Sequence, residues 1–273
     1  MQRLSLYMSS AHMHCSKDWV KCVEHAAALG FDGVELFAGE NGVNFTELSA
    51  ERLSRVAEAA RKHGITLSVH PWVNWSDLDP ETLRARYRRL FTACADMGVH
   101  EVNMHMEFLT DRKTGLERLF DATGACLDLL HERGITLYYE NVPSHGADTI
   151  GSHASDFDAL FERYADESAV MLNIDSGHAH IEGILGALAE KHGARWKYTH
   201  VHDNKGAEDQ HLAPGGGTIG FIPFAASAAR ADYRGPLMME YNESGLESGL
   251  TVLRGAFEAA GYLLPAIGPD AGA

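Results

Sequence analysis

The stretch SAERLSRVAEAARKHGITLSVH, residues 49–70, carries two periodicities in succession. In its first part Leu53, Val56, Ala57 and Ala60 recur at three- and four-residue spacing, the apolar stripe of an amphipathic helix. Gly64 follows, the residue type that most readily takes the left-handed conformation closing a helix. From Ile65 the chain turns into a short, mostly apolar run, as expected of a parallel strand covered on both faces. That run ends on a histidine, His70.

The same unit recurs in both directions. DWVKCVEHAAALG ends at Gly30 and leads into GVELFA. ETLRARYRRLFTACADMG places Leu83, Tyr87, Leu90, Phe91 and Cys94 on one face, ends at Gly98 and leads into VHEVNMH. GLERLFDATGACLDLLHERG reads as a helix ending at Gly134 before ITLYYE. AEKHG ends at Gly193 before KYTHVH, and ARADYRG ends at Gly235 before PLMMEY. Strand candidates begin near Leu4, Val34, Thr66, Glu101, Thr136, Val170, Lys197 and Leu237, which makes eight alternating strand–helix units. With no inserted linker, this predicts an α/β protein built as a single (β/α)8 TIM barrel over residues 1–264, followed by a tail, 265–273, expected to fray. An open doubly wound sheet would place a glycine-rich phosphate loop after the first strand. Ser9-Ser-Ala-His-Met-His14 is not one, and Gly215-Gly-Gly217 lacks the strand-then-helix context.

Composition bounds the partners. The chain has 273 residues and a net charge of −15, from 38 acidic against 23 basic side chains, a poor balance for gripping nucleic acid. The densest basic run, Arg84-Ala-Arg-Tyr-Arg-Arg89, reads as a solvated helix face. No membrane span is expected, since no run of about 18 apolar residues occurs. The N-terminus lacks the basic-then-apolar layout of a signal peptide. Cys15, Cys22, Cys94 and Cys126 form no CxxC pair, and they read as reduced, mostly buried thiols of a cytoplasmic protein. Oligomeric state is left open between monomer and homodimer.

In a barrel of this kind the C-terminal ends of the strands carry the active site. Here they are rich in metal-ligand types. The third candidate strand ends at His70, the fourth at His105 and Glu107, and the fifth at Glu140-Asn141. The sixth ends at Asp175, followed by His178 and His180. The seventh carries His200, His202 and Asp203, its loop holds Asp209 and His211, and the eighth ends at Glu240. A lone histidine at a strand end is usually structural. Six consecutive strands ending in histidine or carboxylate are a different matter, because buried charge is costly unless paired or bound to metal. Imidazole and carboxylate ligands with no thiolate nearby suit Mn, Mg, Co, Fe or Zn. Strand alternation points His200 and His202 the same way, so parity alone leaves either as a ligand.

These motifs, above all Glu140-Asn141, Asp175-Ser-Gly-His178 and His200-Val-His-Asp-Asn-Lys205 followed by Asp209-Gln-His211, resemble the xylose isomerase-like TIM barrels. That superfamily spans sugar phosphate isomerases/epimerases and the endonuclease IV-like enzymes of AP endonuclease family 2. The resemblance covers Leu4 to about Leu264. It implies one divalent metal held by Glu140, Asp175, His200 and Glu240, with His200 preferred to His202 because Asp203 then stands three residues after the ligand. It implies a small sugar or polyol substrate, with Glu140 and Glu240 as acid and base. Trp72, His105, Asn141, His178, His202 and Lys205 are implied substrate contacts. Endonuclease IV adds five ligands, which would be His70, His105, His178, Asp209 and His211 here, for up to three metals and phosphodiester hydrolysis at abasic DNA. Trp72 and Trp75 would serve as an aromatic wedge in that setting and as a sugar-stacking wall in the other. The Glu140-Asn-Val-Pro-Ser-His145 loop is closer to the sugar enzymes. A dehydratase acting on a cyclic polyol ketone is the remaining alternative on the same site.

Overall fold

The structure, a computed structural model, describes residues 1–39, 49–72, 76–106, 111–144 and 149–268. Eight parallel strands close into a barrel: β1 (Leu6–Ser9), β2 (Gly33–Gly39), β3 (Thr66–Trp72), β4 (Glu101–His105), β5 (Thr136–Glu140), β6 (Val170–Asp175), β7 (Trp196–Val201) and β8 (Leu237–Met239). Pairing follows chain order, and β8 returns to β1 through Leu6 opposite Leu237. Seven of the strand starts fall within a residue of the expected ones. The first begins two residues later, at Leu6, although Leu4 is itself fully buried.

The helices are α1 (Trp19–Leu29), α2 (Ala50–His63), α3 (Pro80–Asp96), α4 (Arg112–Gly124), α5 (Leu127–Arg133), α6 (Ala154–Arg163), α7 (Ser176–Glu182), α8 (Leu185–His192), α9 (Phe221–Arg230) and α10 (Leu246–Ala259). Their starts are set by side-chain caps. Asp18, Ser49, Asp79, Asp111 and Asp175 each accept a hydrogen bond from a backbone N–H in the first turn. Gly30, Gly64, Gly98 and Gly134 adopt the expected positive φ. Gly193 and Gly235 do not. Gly193 has φ −54° and opens a short 3-10 turn. Gly235 is needed for space, since a Cβ there would lie 1.9 Å from the Lys197 carbonyl oxygen. The segment expected as a helix up to Gly134 also breaks into α4 and α5. At the break the Ala125 carbonyl accepts a hydrogen bond from Arg88 at 2.6 Å, which replaces its helical partner. Arg84 and Arg88 pair with Asp121 and Asp128, so the basic run lies along a helix–helix edge.

Between barrel and helices lies one continuous apolar core. Inside the lower barrel Tyr7, Tyr138, Tyr198 and Met238 form a separate layer. The layer above them is polar: the Tyr198 hydroxyl meets Ser68 Oγ at 2.8 Å, and Asn103 Nδ2 donates to Glu35 Oε2 at 2.6 Å. A two-stranded ladder, Gln2–Arg3 beside Tyr262–Leu263, ties the two ends of the chain together below the barrel. Of the tail expected to fray, Pro265–Gly268 is docked: Arg254 donates to the Pro265 carbonyl, and the Gly268 N–H donates to the Leu29 carbonyl. Residues 269–273 lie outside the described residues.

Candidate metal centre

Register brings the chemistry to one level. His105 stands opposite Glu140, Asp175 opposite His200, and Phe37 opposite His70. The side chains at these strand ends therefore converge on the C-terminal mouth of the barrel. His70, Glu140, Asp175, His178, His200, His202 and Glu240 are all buried; His105 is partly so.

Three of the histidines have their tautomer fixed by a main-chain carbonyl. His70 Nδ1 lies 3.1 Å from the Asn103 oxygen, His178 Nδ1 2.9 Å from that of Asn141, and His211 Nδ1 2.8 Å from that of Glu240. A carbonyl only accepts, so each Nδ1 must carry hydrogen, and a neutral ring then presents a lone pair at Nε2. For His178 and His211 that Nε2 faces a carboxylate oxygen, Asp209 Oδ2, at 3.3 and 3.1 Å. Two lone pairs meeting an anion are tolerated only with a proton or a cation between them. His211 is held there with φ 46°, a conformation that non-glycine residues seldom adopt.

His200 shows the opposite arrangement. Its Nε2 lies 3.1 Å from Glu35 Oε1, while Nδ1 lies 3.1 Å from Glu140 Oε2 and 3.2 Å from Glu240 Oε2. Glu140 Oε1, Asp175 Oδ2, His200 Nδ1 and Glu240 Oε2 are buried and make no hydrogen bond among the described residues. One such atom comes from each of the four residues that the sequence resemblance offered as first-site ligands. The donor set is three carboxylates with one imidazole, which fits a divalent ion. Asp175 approaches His202 more closely than its sequence role implies: its Oδ1 lies 3.0 Å from His202 Nε2. The ligand atoms fall into overlapping triads, His70–His105–Glu140, Asp175–His178–His202, His202–Asp209–His211 and His12–His211–Glu240.

The electrostatics agree. Burial alone would raise the Glu140 and Glu240 carboxyls, but His200 together with the neighbouring histidines outweighs it and holds both well below the usual range. Burial would likewise lower His178 and His200, but the surrounding carboxylates drive both well above 6.5. His211 rises to about 9, with Asp209 and Glu240 overcoming burial. Burial depresses His70, and it depresses His12 to about 4. The pocket thus concentrates negative field where positive charge must sit.

Two members were not foreseen. Glu35, fully buried on β2, backs His200. His12, in the turn after β1, stacks 5.0 Å from His211. Four expected or neighbouring residues lie elsewhere or do other work. Asn141, expected to contact substrate, engages both ends of its amide with the Asp175 main chain, at 2.9 and 3.1 Å, and so positions a ligand instead. Lys205 is exposed, and among the described residues it pairs with no site carboxylate. Asp203 accepts from the N–H groups of Gly215, Gly217 and Ile219, which makes the glycine-rich turn a structural clamp. His180 reaches Thr218 rather than the cluster. Trp72, 44% exposed, stacks on Phe37 at the rim beside His70. Trp75, Glu107 and His145 lie outside the described residues.

Eight strands in closed parallel order, with carboxylates and imidazoles gathered at their C-terminal ends, define a TIM barrel whose mouth carries candidate metal ligands. Residues 23–259 match the xylose isomerase-like TIM barrel family, and the chain belongs to it. An uncharacterized protein of Sinorhizobium fredii is 30% identical over 73% of this chain; the match spans 63% of that relative's length. Among solved structures, a D-tagatose 3-epimerase-like protein superposes with a TM-score of 0.74 at 21% identity, covering 94% of this chain and 98% of its own. A D-psicose 3-epimerase superposes with a TM-score of 0.74 at 19% identity, covering 92% of each chain. No described helix is long and apolar enough to cross a membrane.

Proposed function

We propose that this protein is a divalent-metal-dependent sugar isomerase or epimerase acting on a ketose or related polyol. The observation that carries this reading is the approach of two buried carboxylates, Glu140 and Glu240, to the same nitrogen, His200 Nδ1, at 3.1 and 3.2 Å. Glu140, His200 and Glu240, with Asp175, would hold the ion. A divalent ion bound there supplies Lewis-acid polarisation of a substrate carbonyl. Glu140 and Glu240 come from non-adjacent strands, β5 and β8, and so flank a sugar seated between them. One removes the proton from the carbon next to the carbonyl. The C–H electron pair becomes the double bond of an enediolate as the carbonyl π pair moves onto oxygen, and the other carboxyl, which must be protonated in the substrate complex, returns its proton to the opposite face. Trp72 offers a flat apolar wall at the rim for the sugar ring. The ketose class is suggested by the names of the structural neighbours, which are epimerases of tagatose and psicose.

The test is turnover in D2O with a panel of ketoses and metal-loaded protein. Deuterium entering one carbon, together with a new epimer or aldose, supports the reading; no exchange with any ketose or inosose counts against it. Loss of water from the exchanged product would redirect it to dehydration on the same site.

A second reading has its own observation. His178 and His211 converge on Asp209 in a grouping that overlaps the Glu140–His200–Glu240 group through Glu140 and Glu240, and His70 and His105 form a third grouping around Glu140. Several ions around one mouth suit phosphodiester hydrolysis. The charge of −15 weighs against a DNA substrate. Three zinc ions per chain, with nicking of an abasic duplex, would favour it.

A further inference from the structure

We propose a second, peripheral metal site, formed by His14, His25 and Glu243, that takes a borderline divalent cation such as Zn2+ and clasps the seam where the barrel closes. His14 Nδ1 lies 2.7 Å from Glu243 Oε1, and His25 Nε2 lies 3.1 Å from Glu243 Oε2. The two imidazoles meet edge to face with centroids 4.5 Å apart. One nitrogen from each ring and a carboxylate oxygen all fall within 4.8 Å of one another, close enough for one ion to reach all three.

The three residues come from three places. His14 is in the loop after β1, His25 is on α1, and Glu243 opens the 3-10 turn after β8. β1 and β8 are the strands whose pairing completes the barrel. None of the three belongs to the central cluster. The loop after β1 divides its histidines: His12 turns to His211 and Glu240, and His14 turns to Glu243. Glu243 follows Glu240 by three residues. An ion at the seam would therefore steady the two loops that carry His12 and Glu240.

The donor set selects the cation. Two imidazoles and one carboxylate, completed by water, suit Zn2+, Co2+ or Ni2+, whereas Mg2+ and Ca2+ prefer all-oxygen sites. Binding requires His14 to carry its proton on Nε2 and His25 on Nδ1, which leaves the nitrogens that face Glu243 as donors. The His14 side chain is 62% exposed and those of His25 and Glu243 are 28% and 24% exposed, so the ion enters from solvent while its ligands stay partly fixed.

Chelator-treated protein titrated with Zn2+ tests the site. Bound zinc is counted in the wild type and in Glu243→Gln and His14→Ala. Each variant is expected to bind one zinc fewer per chain than the wild type. Crystals grown with Zn2+ are expected to show anomalous scattering about 2.1 Å from His14 Nδ1 and His25 Nε2. Equal zinc content in all three proteins, with no anomalous peak at the seam, overturns the site and leaves a hydrogen-bonded His–Glu–His cluster. His14 lies in an exposed loop, so His14→Ala carries the test if Glu243→Gln does not fold. The count at the seam is independent of whether the central cluster turns over a sugar.

Discussion

Glu35 Oε1 lies 3.1 Å from His200 Nε2, and both side chains are fully buried. Because Glu35 Oε2 accepts a hydrogen bond from His200 Nε2 at 3.3 Å, the imidazole presents Nδ1 to Glu140 and Glu240. Histidines that hold a metal commonly carry such a carboxylate on the nitrogen turned away from the ion. Asn103 and Ser68 hold Glu35 in turn. Replacing Glu35 by Gln keeps the volume but weakens the acceptor and frees the tautomer. Metal affinity, measured by competition with a chromophoric chelator, is expected to fall at least about tenfold with the fold intact. Unchanged affinity would remove Glu35 from the site.

Glu140→Gln leaves shape and burial nearly unchanged while removing the base. Turnover is expected to fall by at least about a thousandfold. The thermal midpoint of the metal-free protein should fall, since His200 and His178, held charged in part by this carboxylate, lose a buried partner. Wild-type activity in this variant would contradict its role.

Gly177 tests the packing of His202 without replacing a candidate ligand. A Cβ at position 177 would fall 1.9 Å from the His202 ring. Gly177→Ala is therefore expected to displace the ring and lower both metal affinity and kcat, with helix content by circular dichroism unchanged. Activity equal to the wild type would show that His202 has room to move.

Glu101 gives a pH signature remote from the mouth. Burial lifts its carboxyl from 4.5 to about 7, against hydrogen bonds from Tyr7 and Tyr138 that pull it down. The folded protein keeps this proton to higher pH than the unfolded chain does. The stability it contributes is fully present below about pH 4.5 and is lost as pH rises through about 7. Glu101→Gln should remove this loss, a gain of order 2 kcal/mol at pH 8 that vanishes below pH 4.5. Denaturant melts at the two pH values decide it; equal differences at both would contradict the shift.

Much of this was legible from residues 49–70 outward. Thr66, Glu101, Thr136, Val170 and Leu237 begin strands where the change of period places them. The histidines and carboxylates at strand ends meet because register in a closed barrel leaves them no other direction. What was not legible depended on long-range contacts. Glu35 sits in an apolar run and looks like a strand interruption. Its parity with Phe37, which reaches His70, was the available sign that it faces inward. His12 could be assigned only once the loop after β1 was seen to fold toward His211. Asn141 looked like a substrate ligand because nothing in the sequence reveals that the Asp175 main chain takes up its amide. Gly193 and Gly235 shared a pattern with Gly64 but answered to packing and a turn instead.

In the proposed reading, buried carboxylates and imidazoles at the barrel mouth hold a divalent metal. Elemental analysis of the purified protein, paired with thermal melts before and after chelation, tests it most directly. At least one equivalent of Mn, Co, Fe or Zn per chain is expected, with a fall in melting temperature on chelation that the ion reverses and that Glu140→Gln/Glu240→Gln abolishes. A protein that purifies without metal, and whose melting temperature is indifferent to Mn2+, Co2+, Mg2+ and Zn2+, would contradict it.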